Sequence, residues 1–266
     1  MTPRVSVLIG AYNNASTLFR AAHSMLDQTI DDLELVIVDD GSGDGTARVA
    51  ERIAAMDRRA RLLRMPSNVG ISRSLNAGLR EVTAPVVAVL DADDWSDRRR
   101  LERQLEVLDR HPGVAVVGVR MREVDPLGQE LAPRTRWAAG EVNHLLMRFN
   151  PIPNTAAAFR RAAVLEIGGY DPRYRWAAEY DLWLRLAERH ALIALEETLA
   201  TREMSATNVA ARRERAQTLE TIAMRLRAMR RRRSVRGASG LVAPAVSYLT
   251  PMMLKRVVRA RRGQAP

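Results

Sequence analysis

No cysteine occurs in the 266 residues, which excludes disulfides and thiolate metal sites and suits a reducing, cytosolic setting. Nor is there a long apolar run. The longest weakly polar stretch, Leu241 to Leu254, spans 14 residues, is broken by Pro244 and Pro251, and is too short to cross a bilayer as a helix. The chain opens Met1-Thr2-Pro3-Arg4 and runs straight into an apolar strand, so no signal peptide is expected. Two nucleotide-binding signatures are also missing. There is no P-loop, and the turn after the first strand has no G-x-G-x-x-G. The superficially similar Gly41-Ser42-Gly43-Asp44-Gly45 follows the second strand, which disfavours a dehydrogenase or a P-loop NTPase. Lysine is almost absent: Lys255 is the single one, and every other cation is arginine.

What the chain has in excess is positive charge, +11 overall, and its location matters more than its size. Residues 211 to 266 carry 15 arginines or lysines against Glu214 and Glu220, a net of +13, which leaves the first 210 residues at −2. A near-neutral body argues against nucleic-acid binding as the main role, although an arginine tail acting on any duplex is one alternative. Asn208 to Arg233 reads as one long helix, with Leu219, Ile222, Ala223, Leu226 and Met229 at helical spacing. After a Gly/Ser linker, Leu241 to Arg262 alternates apolar clusters with Lys255, Arg256, Arg259, Arg261 and Arg262. That pattern suits a helix lying in an anionic membrane surface, or equally a solvated basic end. The domain reading is a body at 1–210 and a basic helical C-terminal extension at 211–266.

Within the body, apolar strands at Arg4 to Ile9, Leu33 to Val38, Leu62 to Met65, Val86 to Leu90 and Val114 to Val119 alternate with helical patterns. The helices cover Ala15 to Leu26, Thr46 to about Arg58, the stretch after Gly70 to about Arg80, and Asp97 to Arg110. Such alternation implies an α/β fold with a mainly parallel, Rossmann-like central sheet flanked by helices. The pattern loosens from Arg120 to Phe149, where a short helix is expected near Glu141 to Met147. A strand at Thr155 to Phe159, helices at Arg161 to Ile167 and Glu179 to His190, and two short strands at Ala191 to Leu195 and Thr198 to Arg202 complete the body.

Val86 to Leu90 reads as a strand buried on both faces, and it runs directly into Asp91, Asp93 and Asp94. Carboxylates crowded at the end of a core strand repel one another, and a divalent cation between them and a phosphate-bearing ligand relieves the conflict. Ligands also bind at the carboxyl ends of strands in open α/β sheets. The competing reading is that these acids cap the next helix. The second strand likewise ends in Asp39-Asp40, so two acid-tipped strands would place their carboxylates along one edge. Glu179 and Asp181 stand in the first turn of a later helix, where carboxylates often do no more than complement the helix dipole.

Five stretches together resemble the inverting, nucleotide-sugar-dependent glycosyltransferases of family 2, which have the GT-A fold, over roughly residues 4–210. They are Val5-Ser6-Val7-Leu8-Ile9 with Tyr12-Asn13; Val38-Asp39-Asp40-Gly41-Ser42; Asn68-Val69-Gly70 with Asn76 and Gly78; Leu90-Asp91-Ala92-Asp93-Asp94-Trp95; and Glu179-Tyr180-Asp181-Leu182-Trp183. The resemblance implies that Tyr12 lies against the nucleobase and that Asp40 accepts its ring N–H, with Asp39 as neighbour. It places Ile9, Ala11, Asn68, Gly70, Asp91 and Ala92 on the nucleotide-sugar side, Asp93 on a Mg²⁺ or Mn²⁺ ion, and Asn154 and Trp95 toward the acceptor. A cation on the diphosphate stabilises the leaving group, and a base on the opposite face of the sugar takes the proton of the attacking hydroxyl. Glu179 is the candidate base, with Asp181 as the less favoured second choice.

The implied activity is sugar transfer from a nucleotide-diphosphate sugar, most simply a UDP-sugar, to a glycan or lipid-linked glycan hydroxyl during bacterial surface glycan synthesis. The implied location is the cytoplasm, peripheral on the inner face of the plasma membrane. Two departures from the family pattern bear on this. Ala178 stands where an acid is usual, and Met204 where a histidine can complete the metal shell; a thioether is a poor ligand for hard cations. A catalytically silent nucleotide-sugar-binding relative is therefore an alternative reading.

Overall fold

A computed structural model of the chain describes residues 2–133, 136–204 and 210–231. The proposed membrane helix at Leu241 to Arg262 lies outside the described residues. The first half builds β1 (Val5–Ala11), α1 (Leu18–Leu26), β2 (Leu33–Asp39), α2 (Thr46–Met56), β3 (Ala60–Arg64), α3 (Ile71–Glu81) and β4 (Val86–Asp91). β3, β2, β1 and β4 lie side by side and parallel. Side chains alternate across the sheet, so Leu8, Val36 and Val38 pack with Leu75 and Leu79 of α3. Val7, Ile9, Leu35 and Ile37 face α1 and α2 through Ala22, Met25 and Ala50. Each buried Leu, Ile, Val or Met side chain among these contributes about 1.5–3 kcal/mol. Gly78 allows α3 to sit this close, because a Cβ there would lie 2.3 Å from Leu8 Cδ1.

The second half adds β5 (Asp94–Ser96), α4 (Arg100–Arg110), β6 (Val114–Val124), β7 (Gly140–Glu141), β8 (Ala157–Arg160), α5 (Arg161–Glu166), α6 (Ala178–Leu186), β9 (Ala191–Glu203) and α7 (Ala210–Arg231). The sheet runs β3-β2-β1-β4-β8-β6-β9-β5, with β7 paired to β9. β8 is antiparallel to both β4 and β6, so the parallel arrangement gives way to a mixed one beyond β4. Helical crossovers force parallel strands, but β8 follows the irregular segment after β6 and its direction is free of that constraint. Two buried polar side chains of α4 stitch the junction. Arg100 donates to Val89 O (2.8 Å) and Ala157 O (3.1 Å), and Gln104 Nε2 donates to Val117 O (2.8 Å) and Ala156 O (3.0 Å).

Several elements differ from the sequence expectation. The two strands expected at 191–195 and 198–202 are one strand, β9, whose register jumps from Leu195 opposite Val119 to Thr198 opposite Arg120. Glu196 and Glu197 form the bulge that disguised its continuity. The helix expected at 141–147 is a 3-10 turn, Asn143–Leu145. On α7, Leu219 and Leu226 are exposed, whereas Met224, Arg225 and Ala228 are buried. The face that docks is set by the fit against α6 and by hydrogen bonds to Arg225, which hydrophobic spacing alone does not report.

Candidate active site

The carboxyl ends of β1 and β2 are tied into one rigid loop system. Asn13 adopts a left-handed φ of 55°, and its Oδ1 accepts from Gly43 N (3.0 Å) while its own N–H donates to Ser42 Oγ (2.9 Å). Asn14 N and Ala15 N donate to Thr46 Oγ1 (2.8 Å) and Asp44 Oδ2 (3.1 Å). Tyr12 is held at the apex with 49% of its surface exposed. Asp39 is fully buried; its Oδ1 accepts from Ser42 N (3.2 Å), and its Oδ2 has no hydrogen bond. Asp40 accepts from Val69 N and Gly70 N at 2.9 Å each, which fixes the Asn68–Gly70 loop beside Tyr12. Asp40 thus serves as a loop anchor, and each oxygen keeps a lone pair for a further donor. Gly41 is required here: its φ is +71°, and a Cβ would lie 2.5 Å from the Ser67 carbonyl carbon.

The acids after β4 do not cap a helix. Asp94 sits in β5 directly opposite Arg202 of β9, and the turn into α4 is capped by Asp97, whose Oδ1 accepts from Arg99 N (2.9 Å). Arg202 lies 3.6 Å from Asp91 Oδ2 and 3.5 Å from Asp94 Oδ2. Asp94 is 1% exposed, and neither carboxylate oxygen meets a donor at hydrogen-bond distance. Burial pushes its carboxyl up to about 7, and burial likewise raises Asp91 to about 6, against the pull of Arg202 in both cases. The two carboxylates in turn hold the Arg202 guanidinium firmly protonated. Asp93 is exposed, and its backbone carbonyl accepts from Arg20 (3.4 Å).

Acids crowded at a strand end fit a hard divalent cation, which is commonly bound through one or two carboxylates plus substrate phosphates; Asp93 is exposed and Asp91 partly so, whereas Asp94 is enclosed against Arg202. Among the described residues no group of three or more His, Asp or Glu side chains forms a complete metal cage. Asp91 and Asp93 would therefore contribute only part of a coordination shell. Met204 adds none, and its N–H is engaged by Val124 O (2.7 Å).

A cleft of about 370 Å³ is lined by Asp91, Arg202, Glu179, Asn154, Tyr170 and Gln217. Glu179 Oε1 accepts from Asn150 Nδ2 (3.0 Å), and burial raises its carboxyl to about 7, with the negative charges of Asp91 and Glu220 adding to the effect. Asn154 Oδ1 accepts from the Tyr170 hydroxyl (2.8 Å), which orients its amide in the cleft. Glu179 also borders a second hollow of about 340 Å³, lined by Arg136, Arg148, Thr221 and Arg225.

The profile of Glycosyl transferase family 2 matches residues 6–168 of the chain. The chain belongs to this family. It is 35% identical over 189 residues to the putative glycosyltransferase EpsE of Bacillus subtilis, covering 70% of this chain and 67% of EpsE. It is 32% identical over 189 residues to the amylovoran biosynthesis glycosyltransferase AmsE of Erwinia amylovora, covering 68% of each. TarS 1-349 of S. aureus, solved with UDP, superposes with a TM-score of 0.67 at 16% identity, over 86% of this chain and 65% of that one. The mannosyltransferase PcManGT of Pyrobaculum calidifontis, solved with GDP-Man and Mn²⁺, gives a TM-score of 0.70 at 18% identity, over 99% and 80%. These likenesses establish the GT-A fold and a glycosyltransferase. The chain spans about two thirds of the length of these relatives apart from PcManGT.

Within this family 2 glycosyltransferase, the residues expected from sequence fall into three groups. Asp91, Asn154 and Glu179 line the cleft; Asn68 and Gly70 line a smaller adjoining hollow that shares Ile71 and Arg175 with it. Tyr12, Asp39 and Asp40 stand at the same sheet edge, while buried Ile9, Ala11 and Ala92 have no side-chain surface to offer a ligand. Asp181 points away from the cleft: it is 2% exposed and accepts from Arg185 Nε at 2.6 Å, so its place as second-choice base is corrected. Trp95 stacks under Arg20, 4.0 Å from guanidinium carbon to ring centre, and lines no part of the cleft. Arg202 and Asn150 were not anticipated, and Asp94, expected in the acid cluster, proves to be enclosed against Arg202. The only available signal for Arg202 was an uncompensated cation in a strand beside the vacant histidine position.

Proposed function

We propose that this glycosyltransferase moves a sugar from a nucleotide-diphosphate sugar, a UDP-sugar, to an acceptor hydroxyl in a single inverting displacement with Glu179 as the base. The carrying observation is that one carboxylate, Glu179, borders both hollows, the first with Asp91 and Arg202 and the second on the side of α7. A pKa near 7 suits a group that must take a proton at neutral pH and release it again. The donor lies across Tyr12, Asp40 and the Asn68–Gly70 loop, with its diphosphate at Asp91 and Asp93. A bound Mg²⁺ or Mn²⁺ supplies charge to offset the developing diphosphate. Arg202 keeps Asp91 and Asp94 ionised enough to take part, and Asn150 orients Glu179 toward the attacking hydroxyl.

The acceptor, a glycan or lipid-linked glycan, enters from the second hollow. The likeness to AmsE supports exopolysaccharide synthesis as the setting. None of the helices among the described residues is long and apolar enough to cross a membrane. Membrane attachment therefore falls to the basic sequence after residue 231, which would bind an anionic surface from the cytoplasmic side. Flotation with anionic liposomes tests this: loss of binding in a chain ending at residue 231 supports it, and equal behaviour of the two chains rejects it. For the reaction, a panel of nucleotide sugars is screened by calorimetry and turnover with and without Mn²⁺, and the anomeric configuration of the product is read by NMR. Retention of configuration sinks the single displacement. UDP binding without any turnover favours the silent relative instead.

A further inference from the structure

We propose that Glu220 of α7 is a positioning residue for Glu179, holding the chain segment that leads into the helix on which the base stands. This inference rests on the reading of Glu179 as base. α6 begins without the usual aid: its N-cap residue is Ala177, which has no side-chain acceptor. The Ala177 N–H lacks an intrahelical partner and the two amides before it lie outside the helix, so all three need acceptors from elsewhere. Glu220 Oε1 accepts from Arg175 N (2.9 Å), and Oε2 accepts from Trp176 N (2.8 Å) and Ala177 N (3.2 Å). A single carboxylate from a distant helix thus gathers three consecutive backbone amides, and charged acceptors make the stronger class of hydrogen bond.

The grip continues on the other side of Glu179. Arg225, one turn and a residue beyond Glu220, donates through Nη2 to the Tyr180 hydroxyl (2.7 Å) and to Arg148 O (2.7 Å). Arg227 Nη1 donates to the Tyr174 hydroxyl (2.7 Å), and Arg231 pairs with Glu188 (2.6 Å) just past the far end of α6. Glu179 therefore lies between two segments, 175–177 and Tyr180, that are both fastened to α7. Its side chain is anchored by Asn150, on one oxygen. The rest of its placement comes from the backbone, and the backbone takes its position from Glu220. Gln217, on the same helix, reaches the cleft itself. α7 thereby becomes a structural wall of the reaction site, although the family match ends at residue 168.

The test uses the full-length chain and two variants, Glu220→Ala and Glu220→Gln. Three readouts are taken: amide exchange at 175–177, UDP binding in the presence of Mn²⁺, and kcat and KM with whichever UDP-sugar supports the highest wild-type turnover. In Glu220→Ala the three amides exchange about tenfold faster or more, and kcat falls about tenfold to a hundredfold, a fraction of what removing a general base costs. Donor KM and UDP affinity stay within about twofold, because Asp40 and the Asn68–Gly70 loop are held by contacts of their own and Glu220 grips only the backbone of 175–177. Glu220→Gln, which keeps one acceptor oxygen, recovers part of kcat. Unchanged amide exchange overturns the contact; faster exchange with wild-type kcat overturns the positioning role. A joint fall of kcat and UDP affinity also overturns it, since a general folding defect then explains both. Should the wild type turn over no sugar, or Glu179→Gln retain full activity, the reading of the base fails while amide exchange still decides the role of Glu220 in holding the segment.

Discussion

At the carboxyl edge of the sheet beside the cleft, Tyr12, Asp39, Asp40 and Asp91 come from strand ends that lie next to each other in a parallel sheet, with Gly10 opposite Asp91 and Ala11 opposite Asp39. By contrast, Glu179 stands on a helix whose start is held by α7, and its carboxylate is held by a loop asparagine. The first wall rests on strand ends paired in register, and its loops are then tied to one another across 29 to 32 residues, Asn13 to Ser42, Asn14 to Thr46, and Asp40 to Val69 and Gly70. The second has no strand pairing beneath Glu179 and hangs on side-chain contacts, Asn150 to Glu179 and Glu220 to Arg175, 29 and 45 residues apart in sequence. A wall of the first kind tolerates change elsewhere in the chain; a wall of the second kind is only as well placed as its most distant anchor.

Four measurements would break or sharpen that contrast. Glu179→Gln should lower kcat by about 10²–10⁴, the usual share of a general base, and leave UDP binding unchanged; turnover assays paired with calorimetry check it. An equal fall in nucleotide affinity would mean that the two walls are not separable. Arg202→Met, which strips the cation from Asp91 and Asp94, should cost about 1–2 kcal/mol of stability in urea unfolding at pH 8, less than for a fully buried pair because Arg202 is partly exposed. The loss should be smaller at pH 5, where both carboxyls, raised by burial, are protonated. On the first wall, Tyr12→Ala should weaken UDP binding by about 1–3 kcal/mol, typical of a base stacked on an aromatic ring, with little effect on the melting temperature.

The last is a pH dependence. Glu179 must be ionised to act and its carboxyl is raised to about 7, so kcat/KM should fall about tenfold per unit as pH drops below that value. Folding stability should move the opposite way. Glu179, Asp91 and Asp94 hold their protons more tightly folded than unfolded, so their contribution is full below about pH 4 and is lost as pH rises through about 6 to 7. A ligand-free protein that becomes more stable across that window would contradict the burial of these acids.

The parallel strands and their crossover helices were readable because each is a local pattern: a buried apolar run, a turn rich in Gly and Asn, an amphipathic helix. Asp91 and Glu179 could be selected for the same reason, one closing a core strand and the other opening a helix. Asp181 shows the limit of that method. It shares the first turn with Glu179, and only the placement of Arg185 beside it shows which of the two faces the cleft. β5 shows it again. Asp94 reads as a loop acid until β9 arrives from more than a hundred residues away, pairing Asp94 with Arg202 and removing it from water.

By itself, then, the sequence determined the alternation of strands and helices, the parallel half of the sheet and the acids at its carboxyl edge, because short-range periodicity and turn chemistry act between near neighbours. Tertiary structure decided the antiparallel insertion of β8, the pairing of Arg202 with Asp91 and Asp94, the exposure of Glu179 to the cleft while Asp181 is buried, and the docking of α7 on α6. Each of these depends on desolvation and hydrogen bonding between segments far apart in the chain, and those energies exist only once the segments have met.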